Sequence, residues 1–172
     1  MSSPRMRRLQ ADYEQVLNAF RDHPYITVEP QGRPPVERYV VTYRVPGLRW
    51  NPARRDVEVV QPHVVEVYLH RDYPRSKPLC TMRTPVFHPN ILGEICTGHQ
   101  WAPGETLVDV IVHVGNMLQY VSYNVRSPMN PEAARWAAAN GHRLPLARLP
   151  LYPAEVEVQL EPQPDDVVVE LH

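Results

Sequence analysis

Lysine is almost missing from this chain. Of its 18 Lys and Arg residues only Lys77 is a lysine, and arginine supplies the other 17. A GC-rich, bacterial coding sequence is the plain expectation from that bias, and it leaves a single side-chain amine. Cysteine is scarce too: Cys80 and Cys96, at unlike positions, make no disulfide framework, which suits a reducing compartment. No apolar run approaches the roughly 18 residues of a membrane span, and the N-terminus carries no apolar signal region, so a cytoplasmic location is expected. A net charge of −1 removes the electrostatic case for nucleic acid or an anionic membrane as partner. Proline, by contrast, is plentiful at 20 residues spread along the chain, which predicts many short turns. With 172 residues the chain is long enough to bury a core of its own.

Met6, Leu9, Tyr13, Val16, Leu17 and Phe20 recur at helical spacing, predicting an amphipathic helix over 5–22. Arg5, Arg7 and Arg8 crowd its first turn, where the helix dipole slightly disfavours cations; they form either an ordinary solvated end or a docking surface for an acidic partner. His23-Pro24 ends the helix, and 30–35 reads as a turn-rich connector. Strands are predicted at Arg38–Val45, Asp56–Val60, His63–Leu69 and Leu79–Thr84. Joined by short connections, these four are expected to form an antiparallel meander, since parallel neighbours need long crossovers.

Thr106–Tyr120 fits both a helical and a strand pattern, with its length and a Thr106 cap favouring helix. Pro131–Asn140 is a clearer helix, with proline at its first position and Asn140-Gly141 as its C-cap. After a proline-punctuated stretch, Ala154–Leu160 and Val167–Leu171 alternate apolar and acidic residues, as a strand pair does. The expected division is a main domain over 1–143 and a proline-rich connector with a hairpin-like extension over 144–172.

The chemistry concentrates between His88 and Trp101. Pro89 holds His88 in extended or turn geometry, so the chain bends there. Gly93 is read as letting the backbone pass close to whatever sits beside Cys96. A thiol attacks as its thiolate, so it needs partial exposure and polar surroundings, which a loop-borne Cys96 near Asn90, His88 and His99 can have.

His88-Pro89-Asn90, Ile95-Cys96 and Trp101-Ala102-Pro103 stand in the order found at the active site of ubiquitin-conjugating enzymes, and the chain resembles that family over roughly residues 5–140. Asp72-Tyr73-Pro74 with Pro78 is similar to the family's YP-x-x-P turn. Asn124, Pro128, Pro131, Glu132, Ala133 and Ala134 match the segment after its second helix. The resemblance implies an α/β (α+β) ubiquitin-conjugating fold, a four-stranded antiparallel meander packed on helices, with the β-patterned tail in place of the last helix. It also implies transthiolation. Cys96 takes the C-terminus of a ubiquitin-like modifier from an activating enzyme as a thioester and passes it to an amine of a target protein. No cofactor or metal is implied, ATP being used by the activating enzyme.

By the same resemblance Asn90 is a candidate oxyanion donor, or else a brace of its own turn. His88 and Pro89 support the loop, Trp101 anchors it, and Ser127 borders the groove unless it is plain turn chemistry before Pro128. Arg5, Arg7 and Arg8 lie where the family meets its activating enzyme. The chain departs from the common pattern in its shorter spacings around Cys96. It departs again at Arg75-Ser76 and Ala102-Pro103-Gly104, in the two loops that bind RING-type ligases. With the arginine bias, these departures resemble bacterial members encoded beside their own modifier and activating enzyme.

Three rival readings use the same residues. A zinc site would draw on Cys96, His99 and Cys80 or His88, without the Cys-x-x-Cys pairs of common structural sites. A Cys-His hydrolase would pair Cys96 with His99 or His113. A catalytically inactive scaffold of the same fold would bind a ubiquitin-like protein and usually lacks the cysteine. Cys80 is expected to be a buried strand residue.

Overall fold

The computed structural model describes residues 1–98 and 101–154. Helix α1 (Pro4–Phe20) starts at Ser3, whose hydroxyl accepts the N–H of Met6 at 3.1 Å. Then come β1 (Ile26–Gln31), β2 (Arg38–Tyr43), β3 (Gly47–Asn51), β4 (Asp56–Val60), β5 (His63–Tyr68) and β6 (Leu79–Met82). The short β7 (Ile91–Leu92) and β8 (Glu94–Ile95) precede α2 (Leu107–Leu118), α3 (Pro131–Ala139) and a single 3-10 turn at Gly141–Arg143. Among the described residues no helix is long and apolar enough to cross a membrane.

Six strands form one antiparallel sheet in the order β1-β2-β5-β6-β8-β7. Along β2 and β5 every second residue is buried, so one face is closed and the other meets solvent. Leu9, Val16 and Phe20 of α1 pack with Val41, Tyr43, Val65 and Val67 of the sheet and Leu107, Ile111 and Leu118 of α2 in one core. The Tyr43 hydroxyl donates to the Ile111 carbonyl at 2.8 Å, fixing α2 across β2. Gly115 makes this close approach possible: a Cβ there would stand 2.5 Å from Leu151 Cδ1 and 3.0 Å from the Tyr43 ring. The proline-rich segment after 143 is docked here too. Leu151 is buried, and Gln119 exchanges two hydrogen bonds with the backbone of Leu149 at 2.9 and 3.0 Å.

All four expected strands exist, but their company differs from the expected meander. Asp56–Val60 leaves the main sheet and pairs with β3 in a separate two-stranded sheet, Asn51 opposite Asp56. Its place in the meander is taken by β1, in a stretch partly read as connector. The β3–β4 hairpin has its own small core of Leu48, Val57, Phe87, Tyr120, Ala133 and Ala137, which seats α3 behind the His88–Asn90 turn. The expected ambiguity at 106–120 resolves as helix. Thr106 and Asp109 form a reciprocal capping box that starts α2, at 3.1 and 3.2 Å. The strand pair expected from Ala154 to Leu171 lies outside the described residues, apart from Ala154 itself.

Candidate active site

The β7–β8 hairpin delivers the chain to Cys96. Gly93 forms its turn with φ +72, and nothing lies within 4 Å of where its Cβ would be. The glycine therefore serves the positive φ of a tight turn, and the expected close approach beside the cysteine is absent. Beyond β8 the Cys96 N–H donates to the Asn90 carbonyl at 2.9 Å, folding the cysteine back over the His88–Asn90 turn.

That turn is built from the inside. His88 is fully buried; its Nε2–H donates to the Met117 carbonyl of α2 at 2.8 Å and its Nδ1 accepts the N–H of Asn90 at 3.0 Å. Both ring nitrogens are engaged in the neutral form, and the ring lies 4.6 Å from that of Tyr120. The Pro89 carbonyl accepts the N–H groups of Met129 and Asn130 at 2.9 and 3.0 Å. The Asn90 amide makes a reciprocal pair with the backbone of Asn124, donating to its carbonyl and accepting its N–H, both at 2.8 Å. The segment 124–130 is thereby fastened along the turn. Between it and Cys96 lies a cleft of about 210 Å³ whose lining includes Asn90, Cys96, His113, Tyr123, Asn124 and Ser127.

Cys96 is half-exposed on this cleft, whereas Cys80 is 1% exposed in β6 and burial pushes its thiol up to about 12. Of the two thiols, only Cys96 is open to the cleft.

Residues 61–144 match the ubiquitin-conjugating enzyme family. Over 78 residues the chain is 31% identical to the ubiquitin-conjugating enzyme E2 16 of Schizosaccharomyces pombe, covering 42% of this chain and 48% of that protein. The chain thus spans about half the length of this relative. The E2 domain of a Toxoplasma gondii ubiquitin conjugating enzyme is similar in structure, with a TM-score of 0.57 at 20% identity over 79% of this chain and 88% of that one. The fold is the ubiquitin-conjugating fold, with the α/β composition and antiparallel sheet expected from the residues.

The other expected site residues are dispersed around this fold. Ser127 does border the cleft. Trp101 does not; its Nε1–H donates to the Pro74 carbonyl at 2.8 Å and its ring leans on Tyr73, so it anchors the Tyr73-Pro74 turn. Arg5 donates to the carbonyls of Leu69 and His70, both at 3.1 Å, and pairs with Glu37 at 3.4 Å. Arg8 grips the buried Asp12 at 3.0 Å and the carbonyls of Pro103 and Glu105, while the Tyr73 hydroxyl donates to Asp12 from the other side. Burial pushes the Asp12 carboxyl up, against the pull of Tyr73 and Arg8. Of the three arginines only Arg7 is exposed, its side chain bonded to nothing among the described residues but the Ser2 carbonyl at 2.7 Å.

Among the described residues no group of three His, Cys, Asp or Glu side chains comes together as metal ligands, and His99 lies outside them. His113 lines the cleft, but its Nε2 faces the Thr97 carbonyl at 3.1 Å. Asn124 and Tyr123 are the site residues that spacing alone did not mark. Asn124 entered only as part of a motif, and its role depends on a backbone pairing that no local pattern encodes.

Burial holds the His88 imidazole down at about 4, against an ordinary value of 6.5. The unfolded chain takes up this proton first. Stability present above about pH 6.5 is therefore lost as the pH falls toward 4, by about 3 kcal/mol from this residue. Denaturant midpoints measured across that window should fall. In His88→Gln, less stable at neutral pH, the slope should be flatter. Parallel slopes for the two proteins would assign the acid sensitivity elsewhere.

Proposed function

We propose that the protein is a conjugating enzyme for a ubiquitin-like modifier. Cys96 attacks the thioester that joins the modifier's C-terminus to an activating enzyme. The new thioester forms as the activating enzyme's thiolate leaves. An amine of a target protein then attacks the same carbonyl, loses a proton and expels the Cys96 thiolate. The observation that carries this reading is the half-exposed Cys96 on an open cleft, beside an asparagine amide held by a buried His-Pro-Asn turn. ATP is consumed by the activating enzyme, and the conjugating chain needs no cofactor of its own. The departures at Arg75-Ser76 and Ala102-Pro103-Gly104, with the near-replacement of lysine by arginine, support a bacterial member with its own modifier and activating enzyme, and two cysteines that make no disulfide framework suit the cytoplasm.

Incubation with activating enzyme, modifier and ATP, followed by electrophoresis with and without reductant, tests the reading. A reductant-sensitive adduct is expected. Binding of the modifier with no adduct would turn the reading into that of a scaffold.

The exposed face of α1 is our candidate for the activating-enzyme contact, on the charge of Arg7 and the position of this helix in the fold. Arg7→Glu should slow loading severalfold and leave the melting temperature unchanged. Arg8→Glu should lower the melting temperature, because it sets a second carboxylate against the buried Asp12. A loading rate for Arg7→Glu equal to that of the unmodified protein at low and high salt would remove α1 from this role.

A further inference from the structure

We propose that Lys77 and His113 are positioning residues that clamp the loop carrying Cys96, an inference that rests on the conjugating reading above. The two side chains come from different elements and bond consecutive carbonyls immediately after the cysteine. His113, half-buried on α2, donates from Nε2 to the Thr97 carbonyl at 3.1 Å. The Lys77 ammonium, from the turn before β6, donates to the Gly98 carbonyl.

The loop needs such a hold. The strand ladder stops at Ile95, and among the described residues no backbone N–H reaches the carbonyl of Thr97 or Gly98. Gly98 takes φ +105, a region that glycine enters without a side-chain clash, and nothing lies within 4 Å of where its Cβ would be, so no packed side chain at this position holds the loop. There is space on both sides. A second cleft, of about 280 Å³ and lined by Lys77, Trp101, Glu105 and Tyr152 among others, shares Thr97 and His113 with the Cys96 cleft. The loop is thus a partition between two hollows, pinned by two side chains. Lys77 is itself fixed at its base, where the His70 Nε2–H donates to its carbonyl at 2.7 Å.

A nucleophile must be held to within a fraction of an ångström of its attack geometry, and a misplacement of about 1 Å can cost a hundredfold in rate. Lys77 would supply that hold from the second cleft and His113 from the wall that the two clefts share, with Cys96 itself left open to the incoming thioester. It also occupies the one side-chain amine of the chain, so Lys77 is turned to a carbonyl rather than offered as an acceptor.

The test uses the full chain. Lys77→Met keeps most of the apolar stem and removes the donor; His113→Leu replaces the ring by a somewhat smaller apolar group without a donor. Lys77→Arg and His113→Gln restore an N–H donor. Two rates are measured at temperatures where all variants are folded. One is single-turnover loading at saturating activating enzyme; the other is alkylation of Cys96 by iodoacetamide in the chain alone, with buried Cys80 silent. The Met/Leu double variant should load at least about tenfold more slowly, alkylate at a changed rate, and recover with the Arg/Gln pair. Loading by the Met/Leu variant at the rate of the unmodified chain would overturn the clamp. So would failure of the Arg/Gln pair to recover when its melting temperature matches the original. Should the unmodified chain form no thioester, the conjugating reading falls. Alkylation then decides the clamp, and equal rates in the unmodified and Met/Leu chains would end it.

Discussion

Cys96→Ser should abolish the reductant-sensitive adduct altogether. The hydroxyl occupies almost the volume of the thiol, so the turn, the bond from the residue-96 N–H to the Asn90 carbonyl and the cleft should all persist. What changes is acidity. The thiolate is the attacking form, and a serine hydroxyl stays protonated at neutral pH. Any adduct that accumulates should be an oxyester, resistant to reductant and slow to discharge. Cys80 offers no substitute, because it is sealed in β6 with its thiol pushed up to about 12. The decisive measurement is the adduct's response to reductant and to mild alkali, made beside the unmodified protein and Cys80→Ala. A reducible adduct that survives in Cys96→Ser and disappears in the double variant would transfer the nucleophile to Cys80, and would require β6 to open for the reaction.

Much of this site is legible in the residues because its parts are local. A proline after His88, a glycine at a tight turn and an asparagine beside them prescribe a bend whatever the rest of the chain does. The helices are legible for the same reason: the capping box of Thr106 and Asp109 and the proline start at Pro131 act within one turn. Pairing is another matter. Ile26–Gln31 contains Pro30, which argues against a strand until β1 is found at the sheet edge, where a missing N–H is tolerated. Asp56–Val60 alternates like a member of the main sheet, yet its short turn to Gly47–Asn51 gives it a nearer partner. The arginines of α1 look like a free basic patch in sequence. Two of the three spend their charge on their own chain: Arg5 on Glu37 and the carbonyls of Leu69 and His70, Arg8 on Asp12 one turn along α1 and the distant carbonyls of Pro103 and Glu105. The bond from His113 to Thr97 and that from Lys77 to Gly98 are equally non-local, so no spacing rule could have found them.

Asn90→Ala should damage the transfer to an amine more than the loading of Cys96. The amide has a structural duty that is now visible: its oxygen and one of its two N–H bonds are committed to the backbone of Asn124. Truncation leaves that N–H and carbonyl without their partner, which costs about 1–3 kcal/mol and should lower the melting temperature. A brace alone predicts that this loosening slows both steps by the same factor. The second N–H of the amide is the reason to expect more. Among the described residues it has no partner, on a residue that lines the cleft with Cys96, where the tetrahedral intermediate would carry its oxyanion. Loss of one such donor typically slows reaction by about 10²–10³. The effect should fall hardest on attack by an amine, a proton-bearing nucleophile that expels a better leaving group only after the charged intermediate has formed. Loading exchanges one thioester for another of similar energy and leans less on the donor. Single-turnover loading and discharge should be measured well below the lowered melting temperature, so that unfolding does not enter either rate. A discharge loss at least about tenfold larger than the loading loss supports the oxyanion role. Equal losses in the two steps, whatever their size, would leave Asn90 as a brace and move the oxyanion donor to another group on the cleft.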